Sequence, residues 1–322
     1  MNPGKLLIVA LLCLVGVSAQ ASDDLPPGPV TLIVPFAPGG PSDAGARIVA
    51  AALAKQTGLA FVVENVAGAG GTLGVAKAAQ SKPDGSVLLW GAASTLTMAP
   101  HLVKNVKYDS LKSFVPIGSA GSQPFVLLVR PDGGTKTLKD FLSRARSKAG
   151  RLSYPSAGIG SSIHLVTELF MKEAGIEAVH VPYRGGAPAL QSLLAGDTDL
   201  YFDTPTTAVG YIRSGAVTPL AVTTKSRSPD LPAVPTLNES GFAGFDVATW
   251  FGLVAPAGTS AKVVTRLNKE LVNALAASDT SEALRRSGFQ VEPSTPAEFE
   301  RRIHADFAKW RTIVQNVGLT AN

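Results

Sequence analysis

The sequence predicts an α/β protein built from two lobes, and three observations predict it. Strand-like and helix-like segments alternate along the chain, the pattern of parallel sheets whose ligands sit at the carboxyl ends of the strands. The strands are too many for one compact sheet, and a chain of 322 residues has the length of about two domains. A motif in the first half, Pro35-x-Ala37-x-x-Gly40-x-Ser42, recurs at identical spacing as Pro155-x-Ala157-x-x-Gly160-x-Ser162. Strand-to-helix turns reuse Pro, Gly and Ser for local reasons. Two copies in register, each following a strand and opening a helix, nevertheless suggest two equivalent jaws.

The elements follow in order. Residues 30–34 are short and β-branched, hence a strand. Residues 43–56 carry Ala46, Val49 and Leu53 at helical spacing, and Gly58 stops the helix. Residues 61–64 and 87–90 read as strands, with a helix over 73–80 between them. The middle alternates strands 125–129, 152–154, 178–182, 200–202 and 220–223 with helices 138–149, 163–174, 187–195 and 206–214. After a strand at 250–254 the chain turns helical over 261–277, 282–287 and 296–317, and these helices need a sheet to cover. No tandem repeat of about 20–50 residues is visible.

The N-terminus reads as a targeting segment. Lys5 precedes an apolar run over residues 6–17, and Ala19-Gln20-Ala21 is an A-x-A cleavage site. The run is too short to span a bilayer and suits a signal peptide over 1–21, cleaved after Ala21. A periplasmic protein is expected. The one cysteine, Cys13, falls inside this leader, and Leu12 before it is not the small residue of a lipoprotein signal. The mature chain then has no thiol, which excludes disulfides, thiol catalysis and Cys-zinc sites. No later apolar run is long enough to cross a membrane. Hydrophobic residues make up 45% and charged residues 16%, which suits a large core and argues against disorder. The net charge of +5 is scattered, and Arg285-Arg286 and Arg301-Arg302 look like solvated helix faces. No nucleic-acid partner is expected.

Catalytic signatures are missing. There is no G-x-S-x-G elbow, no G-x-x-x-x-G-K-[ST] loop and no H-x-x-x-H pair among His101, His164, His180 and His304. No metal and no cofactor are expected. The run Gly68-Ala69-Gly70-Gly71-Thr72-Leu73-Gly74 is one residue too long for a dinucleotide fingerprint, and it reads as a tight turn packing helix on strand.

Anion capture remains. Helix N-termini offer unpaired N–H groups and a partial positive charge, and glycine lets a ligand approach them. Residues 36–43 and 156–162 form two such loops. The candidate residues are Ala37, Gly39, Gly40, Ser42 and Asp43 in the first, and Ala157, Gly160, Ser161 and Ser162 in the second. A side chain at Gly40 or Gly160 would fill the carboxylate position. Asp43 either caps its own loop or meets a ligand ammonium or hydroxyl. Ala93 and Ser94 follow the strand at 87–90. Asp203 and Thr204 follow the strand at 200–202, with Thr204 as N-cap before Pro205. Capping and ligand contact are compatible there. His164 is either a packed histidine or a ligand contact, and Arg184 either a surface charge or a cleft cation.

These residues resemble a known family. Ile33-Val34-Pro35-Phe36-Ala37-Pro38-Gly39-Gly40-Pro41-Ser42-Asp43 resembles the opening motif of the Bug receptors, the periplasmic solute-binding proteins of the tripartite tricarboxylate transporters. Val63-Glu64-Asn65, Lys82-Pro83-Asp84-Gly85, Ser156-Ala157-Gly158-Ile159-Gly160-Ser161-Ser162 and His180-Val181-Pro182-Tyr183-Arg184-Gly185 are similar to its later landmarks, as are Pro235-Thr236 and Trp250-Phe251-Gly252-Leu253-Val254-Ala255-Pro256. The likeness covers essentially the whole mature chain. It implies a type II periplasmic-binding-protein (Venus-flytrap) fold with two crossing hinge strands. Lobe one is expected over 22–122 and 250–322, and lobe two over 123–249. It implies a small organic carboxylate held by the two glycine loops and delivered to a two-subunit inner-membrane permease, with the receptor a monomer. Pro38 and Pro41 depart from the family's usual Ala or Ser and remove two N–H donors. The milder Ala-Ala-Ser-Thr-Leu lining at 92–96 suggests a ligand less charged than a tricarboxylate. Two rivals stand beside this reading: a sensor feeding a membrane kinase, and an enzyme on an organic acid using Asp43, Asp203 or His164.

Overall fold

The computed structural model describes residues 25–26, 28–131, 134–147 and 152–317. The expected leader, its cleavage site and Cys13 lie outside the described residues. The chain runs β1 (Val30–Val34), α1 (Pro41–Thr57), β2 (Phe61–Asn65), α2 (Thr72–Ala79) and β3 (Val87–Ala92). It continues through β4 (Phe114–Pro124), β5 (Val126–Val129), α3 (Leu138–Ser147), β6 (Leu152–Ser156), α4 (Ser162–Ala174), β7 (Ala178–Pro182) and α5 (Gly186–Ala195). Next come β8 (Leu200–Asp203), α6 (Pro205–Arg213), β9 (Thr218–Val222) and β10 (Ala248–Pro256). The chain closes with α7 (Ala261–Ala276), α8 (Ser278–Arg286), β11 (Gln290–Val291) and α9 (Pro296–Val317).

Six strands form the first sheet, in the order β11-β4-β10-β3-β1-β2. β1 pairs parallel with β2 and β3, while β10 runs antiparallel to β3 and β4. Helix α1 starts with Gly40 as N-cap and Pro41 in its first turn, and ends at Gly58 in the left-handed conformation. It buries Ala46, Val49 and Leu53 on the same core as Leu267 and Leu271 of α7 and Trp90 of β3. The late helices thus cover the first sheet, as their position in the sequence requires.

The second half builds smaller sheets. β5 lies between β8 and β9, and β6 pairs parallel with β7. Asp199 ties the two sheets: its N–H donates to Ser153 O at 2.9 Å, and the Ser153 N–H donates to Asp199 Oδ2 at 2.8 Å. Phe170, Leu193, Tyr201 and Phe202 fill this core.

Two long antiparallel strands link the halves. β4 and β10 pair from Ala248↔Pro124 to Pro256↔Phe114. The chain passes out of β4 through Phe125 and returns through Val247. Thr223 clamps both passages: its N–H donates to Phe125 O at 3.0 Å, and its hydroxyl donates to Val247 O at 2.6 Å.

β4 is the main element that sequence reading missed. Its sequence FVPIGSAGSQP has two prolines, two glycines and no clean alternation. Pro116 sits at a register shift against β10, where a residue without an N–H is tolerated. The pairing with β10 and β11, rather than local propensity, makes it a strand.

Candidate functional site

The carboxyl ends of the strands meet around a cavity of about 60 Å³. Four helices point their N-termini at it: α1 through Gly40, Pro41 and Ser42, α4 through Ser161, Ser162 and Ile163, α5 through residues 185–188, and α6 through Thr204. Ala37, Ala157 and Ser94 complete this side, and Phe125, Thr249 and Phe251 come from the crossing segments. No lining residue carries a charge. Each helix N-terminus presents N–H groups without intrahelical partners, so the wall is electropositive through dipoles alone.

Buried polar atoms mark where a partner belongs. Among the described residues, Ser42 Oγ and Thr204 Oγ1 both have no hydrogen-bond partner, though their residues are 4% and 1% exposed. Orphaned hydroxyls at this depth are costly unless something binds them.

Other candidate residues stand behind the wall. Asp43 braces the first loop. Its carboxylate accepts from the Gly39 N–H at 3.0 Å, from Arg47 Nε at 3.0 Å and from Asn65 Nδ2 at 2.9 Å. Burial alone would raise its pKa, but hydrogen bonds from Arg47, Gly39 and Asn65 outweigh burial and lower it. The Gly39 N–H is spent in this brace. Ser161 caps α4 by accepting from the His164 N–H at 3.3 Å, while the Gly160 N–H donates to His164 Nδ1 at 3.3 Å. Neither Gly160 nor His164 lines the cavity. Ala93 is buried, and its carbonyl accepts from Thr97 Oγ1 at 2.6 Å inside a wide turn at Ser94–Met98.

Asp203 lies one residue behind Thr204 and is fully buried. One carboxylate oxygen accepts the Thr204 N–H at 2.8 Å, and Oδ2 has no partner among the described residues. Burial pushes its pKa up to about 7.

Sequence reasoning missed the N-terminus of α5 and the two aromatic walls. Gly185-Gly186 ahead of a helix was the available signal, since it repeats the logic of the two glycine loops. The faces of Phe125 and Phe251 had no such signal, because strands buried on both sides show no alternation.

A second, open groove of about 620 Å³ adjoins the cavity and shares Phe36, Ala37, Ala157 and Gly185 with it. Arg184 is exposed and borders this groove rather than the cavity. At its floor the turn Ala69–Gly71 meets the second glycine loop. Gly70 has φ 64°, and a Cβ there would come within 2.3 Å of Ile159 O. Gly74 packs α2 on the first sheet in the same way: its Cβ would meet Val66 O at 2.6 Å. The 68–74 run is therefore the packing turn its spacing suggested.

Known proteins share this fold. Residues 45–319 match the TctC family, described as the tripartite tricarboxylate transporter family receptor. Protein BugT of Bordetella pertussis is 33% identical over 322 residues, 99% of each chain. The structure of the periplasmic binding protein BugD superposes with a TM-score of 0.88 at 35% identity, over 92% of this chain and 100% of that one. An R. palustris protein solved with adipate superposes with a TM-score of 0.89 at 32% identity, over 92% and 99%.

Proposed function

Because the chain belongs to the tripartite tricarboxylate transporter family of receptors, and so is a periplasmic solute-binding receptor, we propose that it clasps a small carboxylate between its lobes. We infer that it hands this ligand to a two-subunit inner-membrane permease, acting as a monomer without catalysis. The observation that carries the reading is the convergence of four helix N-termini and two orphaned hydroxyls on one uncharged cavity. A carboxylate there accepts charge-assisted bonds from N–H groups of α1 and α4 and from Ser42, Ser162 and Thr204. No arginine is required, and Asp43 does not oppose the anion because Arg47 and Asn65 hold its charge.

Phe125, Ile163, Pro188 and Phe251 supply an apolar wall for the rest of the ligand. A monocarboxylate with an apolar or aromatic body fits this lining, and the four-carbon chain of the adipate bound to the R. palustris relative is of similar character. The moving bodies are residues 22–122 with 250–322, and residues 123–249, swinging about β4 and β10. The leader is removed after Ala21.

A thermal-shift panel of mono-, di- and tricarboxylates, amino acids and aromatic acids tests the proposal. At about 100 times its Kd, a ligand adds ~2.7 kcal/mol of stability. The expected result is a shift with aliphatic or aromatic monocarboxylates and recovery of the acid unchanged after hours of incubation. Consumption of the acid would overturn the receptor reading in favour of an enzyme, and a shift confined to tricarboxylates would overturn the ligand class.

A further inference from the structure

Behind the second glycine loop, three rings from three elements form one stack. Tyr154 of β6 lies 4.9 Å from His180 of β7 with 16° between the ring planes, and His180 lies 4.1 Å from His164 of α4 at 13°. Neither histidine lines the cavity, yet each is bonded to the loop that does. His164 Nδ1 accepts the Gly160 N–H. His180 Nε2 is hydrogen-bonded to Ser156 Oγ at 2.6 Å, and that hydroxyl accepts the Gly158 N–H at 3.1 Å.

We propose that His164 and His180 are positioning residues for carboxylate binding, tethering both ends of the loop so that the first N–H groups of α4 face the cavity. The proposal rests on the reading of the cavity as a carboxylate site. The loop needs tethers because Gly158 and Gly160 both adopt positive φ, a conformation open to glycine that also leaves the unbound chain its widest freedom. A rigid wall is what lets fixed dipoles hold an anion without the cost of reorganising them.

The His164 tether works only through a neutral ring. An Nδ1 that accepts a hydrogen bond carries no proton. The titratable groups facing the pair are the Tyr154 hydroxyl on β6 and the Glu168 carboxylate on α4, and Tyr154 donates to Glu168 Oε1. That carboxylate is thereby engaged away from the imidazoles. Burial lowers the pKa of His164 to about 3, with His180 beside it adding to the shift, and burial lowers that of His180 to about 4. The Gly160 end of the loop is therefore held at every pH above about 5 and released in stronger acid.

Two substitutions separate positioning from packing. His164→Leu fills space without an acceptor. His164→Asn loses the ring as well but places an oxygen on Cγ where histidine has Nδ1. Amide exchange at Gly160 is read by NMR on the ligand-free chain, with the Leu88 amide of β3 as reference for global opening. Affinity for adipate is read by calorimetry. Loss of one such bond corresponds to about tenfold in either quantity. The Leu variant is expected to lose about tenfold in Gly160 protection and in affinity, and the Asn variant to keep both within about threefold. Protection in the wild type is expected to fall between pH 6 and about pH 2.5, and less so in the Asn variant. Equal protection in the Leu and Asn variants would overturn the proposal, as would wild-type protection that ignores pH. If adipate fails to bind the wild type, the exchange data still decide the tether, and the monocarboxylate reading is decided by the thermal-shift panel, because adipate carries a second carboxylate.

Discussion

At the residue scale, Asp203 sets a pH dependence whose sign can be worked out. Burial raises its pKa to about 7 in the folded chain, against about 3.9 unfolded. The folded state therefore holds the extra proton, so this contribution is full below about pH 4 and is lost as pH rises through about 7. Asp203→Asn removes the cost of burying a charge. Its denaturation midpoint is expected to exceed that of the wild type at pH 7.5, with the difference vanishing near pH 4, as urea titrations at the two pH values would read. His164 and His180 act with the opposite sign. Their lowered values cost stability as pH falls below about 6.5, the unfolded value. Gly40 gives a clean test of the cavity. It has φ −88°, a Cβ there would meet no atom within 4 Å, and yet it lines the wall. Gly40→Val is expected to keep the fold and lower affinity at least about a hundredfold by calorimetry, ~2.7 kcal/mol. Gly160 does not serve as its twin, contrary to what the echo suggests. Its φ is 81° and a Cβ would sit 3.2 Å from Val103 Cγ2, so a substitution there strains the backbone before it meets any ligand.

At the scale of elements, two helix caps share one geometry and differ in position. Ser161 caps α4 at the cavity, and Ser260 caps α7 far from it, each accepting an N–H three residues on at 3.3 Å. Replacing either with Ala is expected to cost ~1 kcal/mol of stability, measured by denaturant titration, while only Ser161→Ala weakens ligand binding. Caps also explain what was legible in the sequence. α4, α5 and α9 lie within one residue of their expected bounds at the N-terminal end because Ser, Gly and Pro announce a helix start locally. β4 and β11 were not legible, since their identity comes from partners more than a hundred residues away in sequence. The same division runs through the site. Ser42 and Ser162 follow from the spacing of the repeated motif, and Thr204 from its place between a strand end and Pro205, whereas the approach of Phe125 and Phe251 to them depends on how β4 and β10 cross.

At the scale of the whole molecule, the two halves meet where backbone touches backbone. Gly70 admits Ile159 O so closely that even a methyl group would hold the surfaces apart. Gly70→Ala is expected to leave each half folded and keep the cleft ajar. Small-angle scattering would then show no decrease in radius of gyration on adding a ligand that compacts the wild type. The uncharged cavity has a wider consequence. Mobile ions largely screen exposed charges more than a Debye length of about 8–10 Å apart, but they screen buried contacts far less. A guest buried against such a wall is expected to lose less of its grip than one held by exposed charges when the surrounding fluid passes from dilute to briny.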